Sequence, residues 1–445
     1  MDIIQFEDEN LAHYSYAVIS KGEMALIDPA RNPQPYYDLA KQHDAKIIAV
    51  IETHPHADFV SSHLEIHETI GATIYVSKLL GAEYEHQSFD EGDLIKIGNV
   101  TLKALNTPGH SPDSICIVAI DENGKEEVVF TGDTLFIGDC GRPDLRETAG
   151  AITSAKEDLA RQMYHSLRDK LMTLPDNVLV YPAHGAGSLC GKGLSEKKSS
   201  AMAIEKASNW SLQKSTEEEF VKVLLANQPF VPKYFTYDVG LNKKGAGNYA
   251  DGISKVSISE NIPAGLGVDV IIDTRNESDF KNGHLKNSIN LMDDIKFETW
   301  LGSIVTPNEK YYLVGESKGQ LQTLIERIAK IGYEGQIKKA FSAKKIKGQT
   351  EEKIDVGKFK NSKEDYTIVD IRNVSEVGAK SIFESAIEIP LPELRERANE
   401  IPTGKPIVVH CSGGYRSAAG ASIIKEQLKG LAPVYDLSYA IENFE

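Results

Sequence analysis

The chain reads as an α/β protein of three domains, and three observations lead to that reading. In the first half, short apolar runs each end in a polar cluster that carries His or Asp. The second half alternates strand-like and helix-like segments, the pattern of a parallel α/β sheet. It also repeats itself at a nearly constant offset, the mark of a duplicated unit. A length of 445 residues agrees with three domains, at roughly 150 residues each.

Taken in order, Lys46–Ile51 (KIIAVI), Val100–Leu105 (VTLKAL), Val128–Phe130 and Val178–Tyr181 (VLVY) have the length and side chains of buried strands. They run into ETHPHAD, NTPGHSPDS, TGDTLF and PAHGAGS respectively. Delivery of such groups at strand carboxyl ends is how layered α/β enzymes assemble a site. Ser199–Leu212 reads as a helix, and Thr216–Asn227 (TEEEFVKVLLAN) opens on a capping-box pattern. Gln228–Gly247, rich in Pro, Gly and aromatics, reads as a long connection. Further on, VIIDTR at Val270–Arg275 recurs as TIVDIR at Thr367–Arg372, and YYLVG at Tyr311–Gly315 pairs with PIVVHC at Pro406–Cys411. Asp273 and Asp370 lie 97 residues apart, and Gly315 and Cys411 lie 96 apart. The expected domains span residues 1–245, 255–350 and 355–445.

Charge narrows the function classes. With 49 basic and 65 acidic residues the formal charge is -16, which disfavours nucleic acid or an anionic membrane as partner. An anionic substrate has to be held by local basic groups or backbone N–H. The opening MDIIQFEDEN has neither a basic n-region nor an apolar h-region, so no secretory signal is expected. No apolar run approaches the roughly 18 residues of a membrane span. The expected compartment is the cytoplasm. Four cysteines without a CxxC pair form no disulfide scaffold. Cys116 and Cys140 read as packing residues, whereas Cys190 and Cys411 stand in loops that give a thiol something to do.

His54-Pro55-His56-Ala57-Asp58 follows a strand directly, and His110, Asp133 and His184 follow the next three. Imidazoles with carboxylates suit Zn, Fe or Mn. These motifs resemble the metallo-β-lactamase fold, whose HxHxDH is followed by single His, Asp and His, over about the first 190 residues. The resemblance implies an αββα sandwich. One departure is informative: Phe59 stands where HxHxDH ends in His. In the dinuclear hydrolases of the fold that His helps hold a second metal, and a phenyl ring cannot. The region therefore fits glyoxalase II-type hydrolysis less well and resembles the persulfide dioxygenase branch. That branch implies one non-haem Fe(II), with Zn as the alternative metal, on His54, His110 and Asp133. Three positions would stay open for water, O2 and substrate, with His56, Asp58 and His184 orienting the ligands. GDCGRPDL at Gly138–Leu145 resembles the family's GRxD segment, in which Arg142 binds an anionic part of the thiol substrate. Pairing of Arg142 with Asp144 or Asp139 is the equal alternative. Cys190, in HGAGSLCGKG at the mouth of the site, reads either as a relay thiol or as packing.

In the last repeat, Cys411-Ser412-Gly413-Gly414-Tyr415-Arg416-Ser417 leads into an expected helix, Ser417–Lys429. Small residues let successive N–H groups point inward at a helix start, and Arg416 adds a cation. That is a cradle for a thiolate or persulfide. The loop resembles the rhodanese active-site loop, and VDIR at Val369–Arg372 the rhodanese DxR signature, implying two rhodanese-like α/β domains with parallel sheets. By that resemblance Cys411 is the nucleophile, Arg416 assists it, and Ser412, Gly413, Gly414 and Tyr415 cradle the substrate. Four residues between Cys411 and Arg416 suit a sulfur atom, whereas phosphatase loops carry five around a tetrahedral oxyanion. The first repeat has Gly315 and Gln320 at the Cys and Arg positions and is expected to be inactive.

The whole chain resembles bacterial fusions of a persulfide dioxygenase with degenerate and active rhodanese domains. The function so implied is oxidation of a low-molecular-weight thiol persulfide with O2 to sulfite. Transfer of sulfane sulfur through Cys411 to sulfite then gives thiosulfate, in a homo-oligomer. Two alternatives stand beside it. One is a glyoxalase II-like thiolester hydrolase with a fused sulfurtransferase, holding two zincs. The other is a sulfur-carrier or redox-sensing adaptor with a vestigial metal domain.

Overall fold

The computed structural model describes residues 1–146 and 155–444. The chain divides into two compact units: Met1–Asp251 with Lys330–Gly332, and Gly252–Ala329 with Tyr333–Glu445.

In the first unit, Asp2–Asp8, His13–Ser20, Glu23–Ile27, Lys46–Ile51, Thr73–Val76 and Gln87–Ser88 form one six-stranded sheet in chain order. Ser200–Ala201, Leu179–Pro182, Glu126–Gly132, Ile115–Ile120, Val100–Asn106 and Leu94–Ile97 form the other. Strands buried on both faces must be apolar at nearly every position. Side-chain alternation then sends successive residues to opposite sides. Tyr14, Tyr16, Val18, Ala49 and Ile51 of the first sheet meet Leu102, Ala104, Ile117 and Phe130 of the second in one core between the sheets. Ala17, Ile19 and Val50 turn outward onto Tyr36, Ala40 and Ile66 of the helices Gln34–Gln42 and His63–Ile70. Val118, Val129 and Val180 pack on Ala160 and Met163 of Lys156–His165 and on Phe220 and Leu224 of Glu217–Leu225. The expected αββα order results.

Thr216 and Glu219 close the expected capping box, each side chain bonding the other's backbone N–H. Gln228–Gly247 differs from the expectation of a plain connection, because it contains the helix Phe235–Lys244. Tertiary burial accounts for it. Phe235, Val239 and the polar Asn242 are all buried. Asn242 donates from Nδ2 to the carbonyls of His56 and Phe59 at 2.8 and 2.8 Å and accepts from Ser61 N–H at 2.9 Å. This weakly amphipathic segment is held by what its amide binds.

The second unit holds two parallel sheets. One runs Ile258–Ser259, Ile337–Ser342, Tyr311–Gly315, Val270–Asp273, Ser288–Asn290, and the other Ile387–Glu388, Thr367–Asp370, Ile407–His410, Val434–Asp436. The repeated DxR forms the same clamp twice. Arg275 Nη2 donates to Asp273 Oδ2 at 2.6 Å, and Arg372 Nη2 to Asp370 Oδ2 at 2.6 Å. Both pairs are buried, so removing one partner strands a charge in the interior. Among the described residues no helix is long and apolar enough to cross a membrane.

His284 makes the second unit acid-sensitive. Its ring stacks on Phe280 with centroids 4.0 Å apart, and its Nδ1 donates to the Phe280 carbonyl at 3.0 Å. Burial pushes its pKa down to about 4. Between the ordinary value of 6.5 and about 4 the unfolded chain binds a proton that the folded chain refuses. The contribution of His284 to stability is therefore full above 6.5 and falls as pH drops through that window. Denaturant titrations at pH 7 and pH 4.5 should show a loss on the order of 2 kcal/mol that His284→Gln largely removes. Equal pH dependence in the two proteins would assign the effect elsewhere.

Candidate metal centre and sulfur-transfer loop

Val100–Asn106, Glu126–Gly132 and Leu179–Pro182 run in one direction through their sheet. Their carboxyl ends therefore bring His110, Asp133 and His184 to one edge, where the loop after Lys46–Ile51 supplies His54, His56 and Asp58. Asp133 sits at the middle. Its Oδ2 lies 3.8 Å from His54 Nε2 and 3.5 Å from His110 Nε2, and its Oδ1 lies 3.4 Å from His184 Nε2. His184 Nε2 is also 3.5 Å from Asp58 Oδ2. Within each of the triads His54–His110–Asp133 and His56–Asp58–His184, the donor atoms lie within 4.8 Å of one another.

The outer nitrogens fix the tautomers. His110 Nδ1 faces the Arg142 carbonyl at 2.9 Å and His184 Nδ1 the Ala12 carbonyl at 3.2 Å. A carbonyl only accepts, so both Nδ1 atoms carry hydrogen. Thr53 Oγ1 gives its one hydrogen to Asp28 Oδ2 at 2.8 Å and lies 3.0 Å from His54 Nδ1, so His54 Nδ1 donates to it. All three Nε2 atoms then present lone pairs to the centre, the arrangement a metal requires. Apart from the Cys190 thiol beside Asp133, both Asp133 oxygens and His184 Nε2 are buried without a hydrogen-bond partner among the described residues. Native proteins leave few such atoms unsatisfied, and a bound cation would satisfy all three. The donor set fits a borderline metal.

His56 turns its Nε2 toward Asp28 and Glu52, at 3.1 and 3.4 Å. Burial disfavours its charge, but the two carboxylates outweigh burial and hold its pKa well above the ordinary value. Phe59 is buried against His13 and His56, with ring centroids 3.8 and 4.3 Å away. The position beside His56 is thus filled by a ring without a donor atom.

Two expected residues are placed differently. Arg142 is buried, and all five of its N–H groups are used. Nε and Nη2 donate to Asp144 at 2.7 and 2.6 Å, Nη2 to the Pro229 carbonyl at 2.6 Å, and Nη1 to the Leu189 and Phe230 carbonyls at 3.2 and 3.4 Å. The pairing with Asp144 is therefore present, and among the described residues each Arg142 N–H has a partner, so an anion would have to displace one of them. Cys190 lies within the interior instead of at a mouth, grouped with Asp133 and His184. Burial, reinforced by Asp58 and Asp133, raises its thiol well above the ordinary value, the opposite of what a relay thiolate needs. Cys140 and Cys116 are buried in the helix-covered core.

In the second unit, Cys411 follows the strand Ile407–His410, and the helix Tyr415–Leu428 begins four residues later, two earlier than expected. Gly414 has φ +89°, and a Cβ there would stand 2.7 Å from Tyr439 N, so the turn requires glycine. The turn aims Gly414 N–H at Cys411 Sγ, 3.1 Å away. Ser412 and Gly413 are exposed at the loop's rim. Tyr415 instead donates its hydroxyl to the Met292 carbonyl of the first repeat at 2.9 Å. Arg416 pairs with Glu376 and Ser412. In the first repeat, Gln320 accepts from Glu316 N–H at 2.8 Å, and Leu321 occupies the space that a Cβ on Gly315 would enter. That loop has neither thiol nor guanidinium.

Comparison with known proteins agrees with both halves. Residues 9–184 match the metallo-beta-lactamase superfamily, and residues 258–339 and 355–445 match the rhodanese-like domain. The chain belongs to the metallo-beta-lactamase superfamily and carries rhodanese-like domains in its second half. Over 204 residues it is 32% identical to the mitochondrial persulfide dioxygenase ETHE1 of Bos taurus, covering 45% of this chain and 71% of that protein. It is also 32% identical to the cytoplasmic hydroxyacylglutathione hydrolase of Arabidopsis thaliana, over 39% of this chain and 63% of that one. A solved metallo-beta-lactamase from Staphylococcus aureus subsp. aureus COL superposes with a TM-score of 0.68 and 30% identity, covering 77% of this chain and 99% of that chain.

Sequence reading missed Asp28, Thr53, Asn242 and Glu376. Asp28 directly follows the strand Glu23–Ile27, so the strand-end rule that found the others would have reached it.

A Cβ on Gly141 would stand 1.9 Å from the Asp133 carbonyl oxygen and 3.1 Å from His110 Cβ. Gly141→Ala must therefore displace one of two candidate ligands. Elemental analysis after dialysis should find metal retention weakened at least about tenfold. Retention equal to the parent's would remove these residues from the ligand set.

Proposed function

We propose that the chain is a persulfide dioxygenase–sulfurtransferase. Residues 1–245 would oxidise a low-molecular-weight thiol persulfide with O2, residues 255–350 would form an inactive rhodanese-like domain, and residues 355–445 would transfer sulfane sulfur through Cys411. The observation that carries this reading is the pairing, in one chain, of a donor set missing the His that Phe59 replaces with a Cys411 loop sized for sulfur. Likeness to persulfide dioxygenase ETHE1 supports it.

His54, His110 and Asp133 would hold one Fe(II), with Zn the alternative metal; bound iron would activate O2 toward the sulfur, whose own oxidation supplies the electrons, a role redox-inactive zinc lacks. The chain's own residues do the positioning. Thr53, under Asp28, and the Arg142 carbonyl keep His54 and His110 in the ligating tautomer. Phe59 and the tightly packed His13 keep water and a further donor away from His56. One persulfide, one O2 and one water give one thiol, one sulfite and two protons. At the loop, Cys411 Sγ attacks the outer sulfur of a second persulfide, and the thiol leaves with the bonding pair. Sulfite then attacks that sulfur, the Cys411 S–S bond breaks, and thiosulfate departs while the electrons return to Cys411. The proposed setting is a cytoplasmic homo-oligomer.

One observation favours a second reading. His56, Asp58 and His184 form a second set of three donors beside the first, as a dinuclear thiolester hydrolase of hydroxyacylglutathione type would require.

Metal analysis with oxygen uptake on glutathione persulfide separates the two. One iron per chain with oxygen consumption is expected. Two zincs with oxygen-independent thiolester cleavage would replace the first reading by the second. Cys411→Ser should retain oxygen uptake and release sulfite in place of thiosulfate, and loss of uptake would refute the division of labour.

A further inference from the structure

Arg416 is expected to lend its charge to sulfur or to an incoming anion, yet its guanidinium already faces a carboxylate. Nη1 and Nη2 donate to the two oxygens of Glu376 at 2.6 and 2.6 Å, a side-on bidentate pair, and Nη2 also donates to Ser412 Oγ at 2.7 Å. Behind the pair stands Trp300 of the first repeat, whose ring centroid is 5.4 Å from the guanidinium carbon. Glu376 sits in the first turn of the helix Val374–Ala379 and accepts from Asn373 N–H at 3.0 Å. Its side chain is 33% exposed, whereas that of Arg416 is 10% exposed. Burial works against the Glu376 charge, but Arg416 outweighs it and lowers the pKa, so the pair is ionised near neutral pH. A molecule arriving from solvent thus meets a guanidinium whose charge is already balanced.

We propose that Glu376 is an internal competitor for Arg416, which an anionic sulfur acceptor must displace at Cys411 and an uncharged one need not. The proposal rests on the reading of Cys411 as a sulfurtransferase. With Glu376 in place the pair is neutral overall, so an uncharged acceptor gains nothing from Arg416. A dianion such as sulfite can bridge both terminal nitrogens with two oxygens and brings one charge more than the carboxylate it displaces. The persulfide itself is served by the loop's N–H groups, with Gly414 N 3.1 Å from Sγ. Arg416 is therefore left to the acceptor. Trp300 covers the guanidinium face, which restricts exchange to the edge that Glu376 now holds. On this account Glu376 raises the sulfite concentration that Cys411 requires and leaves an uncharged acceptor unaffected, and the first repeat contributes a wall of the site.

Glu376→Gln tests it, because glutamine can still accept from Asn373 N–H while losing the charge. Full-length protein is loaded with glutathione persulfide, a gain of one sulfur atom on Cys411 is verified by mass, and unloading by sulfite or by cyanide, mostly uncharged HCN near neutral pH, is followed. The half-saturating sulfite concentration should fall roughly threefold to tenfold in the variant. That for cyanide should move by about twofold at most. Equal changes for both acceptors, or a rise for sulfite, would mean that Glu376 only braces the loop and would overturn the proposal. Failure of wild-type Cys411 to gain sulfur would instead overturn the sulfurtransferase reading, and the proposal with it. Should the variant fail to fold, wild-type fluorescence decides, since the chain has 2 tryptophans and Trp300→Phe identifies the Trp300 share. Sulfite, and not cyanide, should change that share saturably. No change with sulfite counts against displacement.

Discussion

A carboxylate buried with neither oxygen hydrogen-bonded is among the most expensive features a fold can contain. Asp133 comes close to that state: among the described residues its oxygens have no hydrogen-bond partner beyond the neighbouring Cys190 thiol, and three imidazole nitrogens are aimed at them. Much of the first unit can be understood from this arrangement. Parallel strand ends deliver the donors from one side, and the Thr53–Asp28 pair and the Arg142 and Ala12 carbonyls turn each ring so that its lone pair faces inward. Asn242 ties down the backbone of the His56–Ser61 loop from a distant helix. These partners are mostly neutral and rigid. A cation placed at the centre would complete a structure otherwise left with uncompensated polar atoms.

The second unit solves a related problem with a fixed cation. Arg275 and Arg372 each neutralise a buried aspartate at a strand end, and this survives in both repeats because its loss would leave a bare interior charge. The Cys411 loop is under different control. It depends on glycine geometry at Gly414, on the inward N–H of that residue and on a helix start. Where the first repeat lacks the thiol, Leu321 has filled the space beside Gly315. The scaffold is thus retained in both copies, while the thiol and the guanidinium are present in one.

Much of this was legible in the sequence because strand ends are local. A run such as KIIAVI followed by HPHAD needs no knowledge of the rest of the chain to be read as a strand delivering ligands, and the strand Lys46–Ile51 forms as written. The glycine-rich Cys411 loop is equally local. What could not be read depends on groups without sequence identity. Arg142 is claimed by the carbonyls of Leu189, Pro229 and Phe230, and any residue supplies a carbonyl. Cys190 looked accessible because its neighbours are glycines, but burial is decided by what folds over it. Glu376 closes a capping box with Asn373 in the structure, and nothing local in the sequence indicates that its carboxylate meets Arg416 from 40 residues away.

One electrostatic rule links the two sites. The chain carries a charge of -16, and its candidate substrates are anions, yet among the described residues neither site offers an exposed, unbalanced cation. At the first, Asp58 and Asp133 surround the position a metal would take, so the metal's charge would be largely matched before any substrate arrived. At the second, Glu376 matches Arg416. A free surface cation would attract every cellular anion, phosphate included, with a strength set by charge alone. A balanced one responds only to a ligand that can replace its partner, by coordination at a metal or by bidentate hydrogen bonding at a guanidinium. The pairing already present in each site thus turns anion capture into exchange, which depends on the ligand's geometry as well as on its charge.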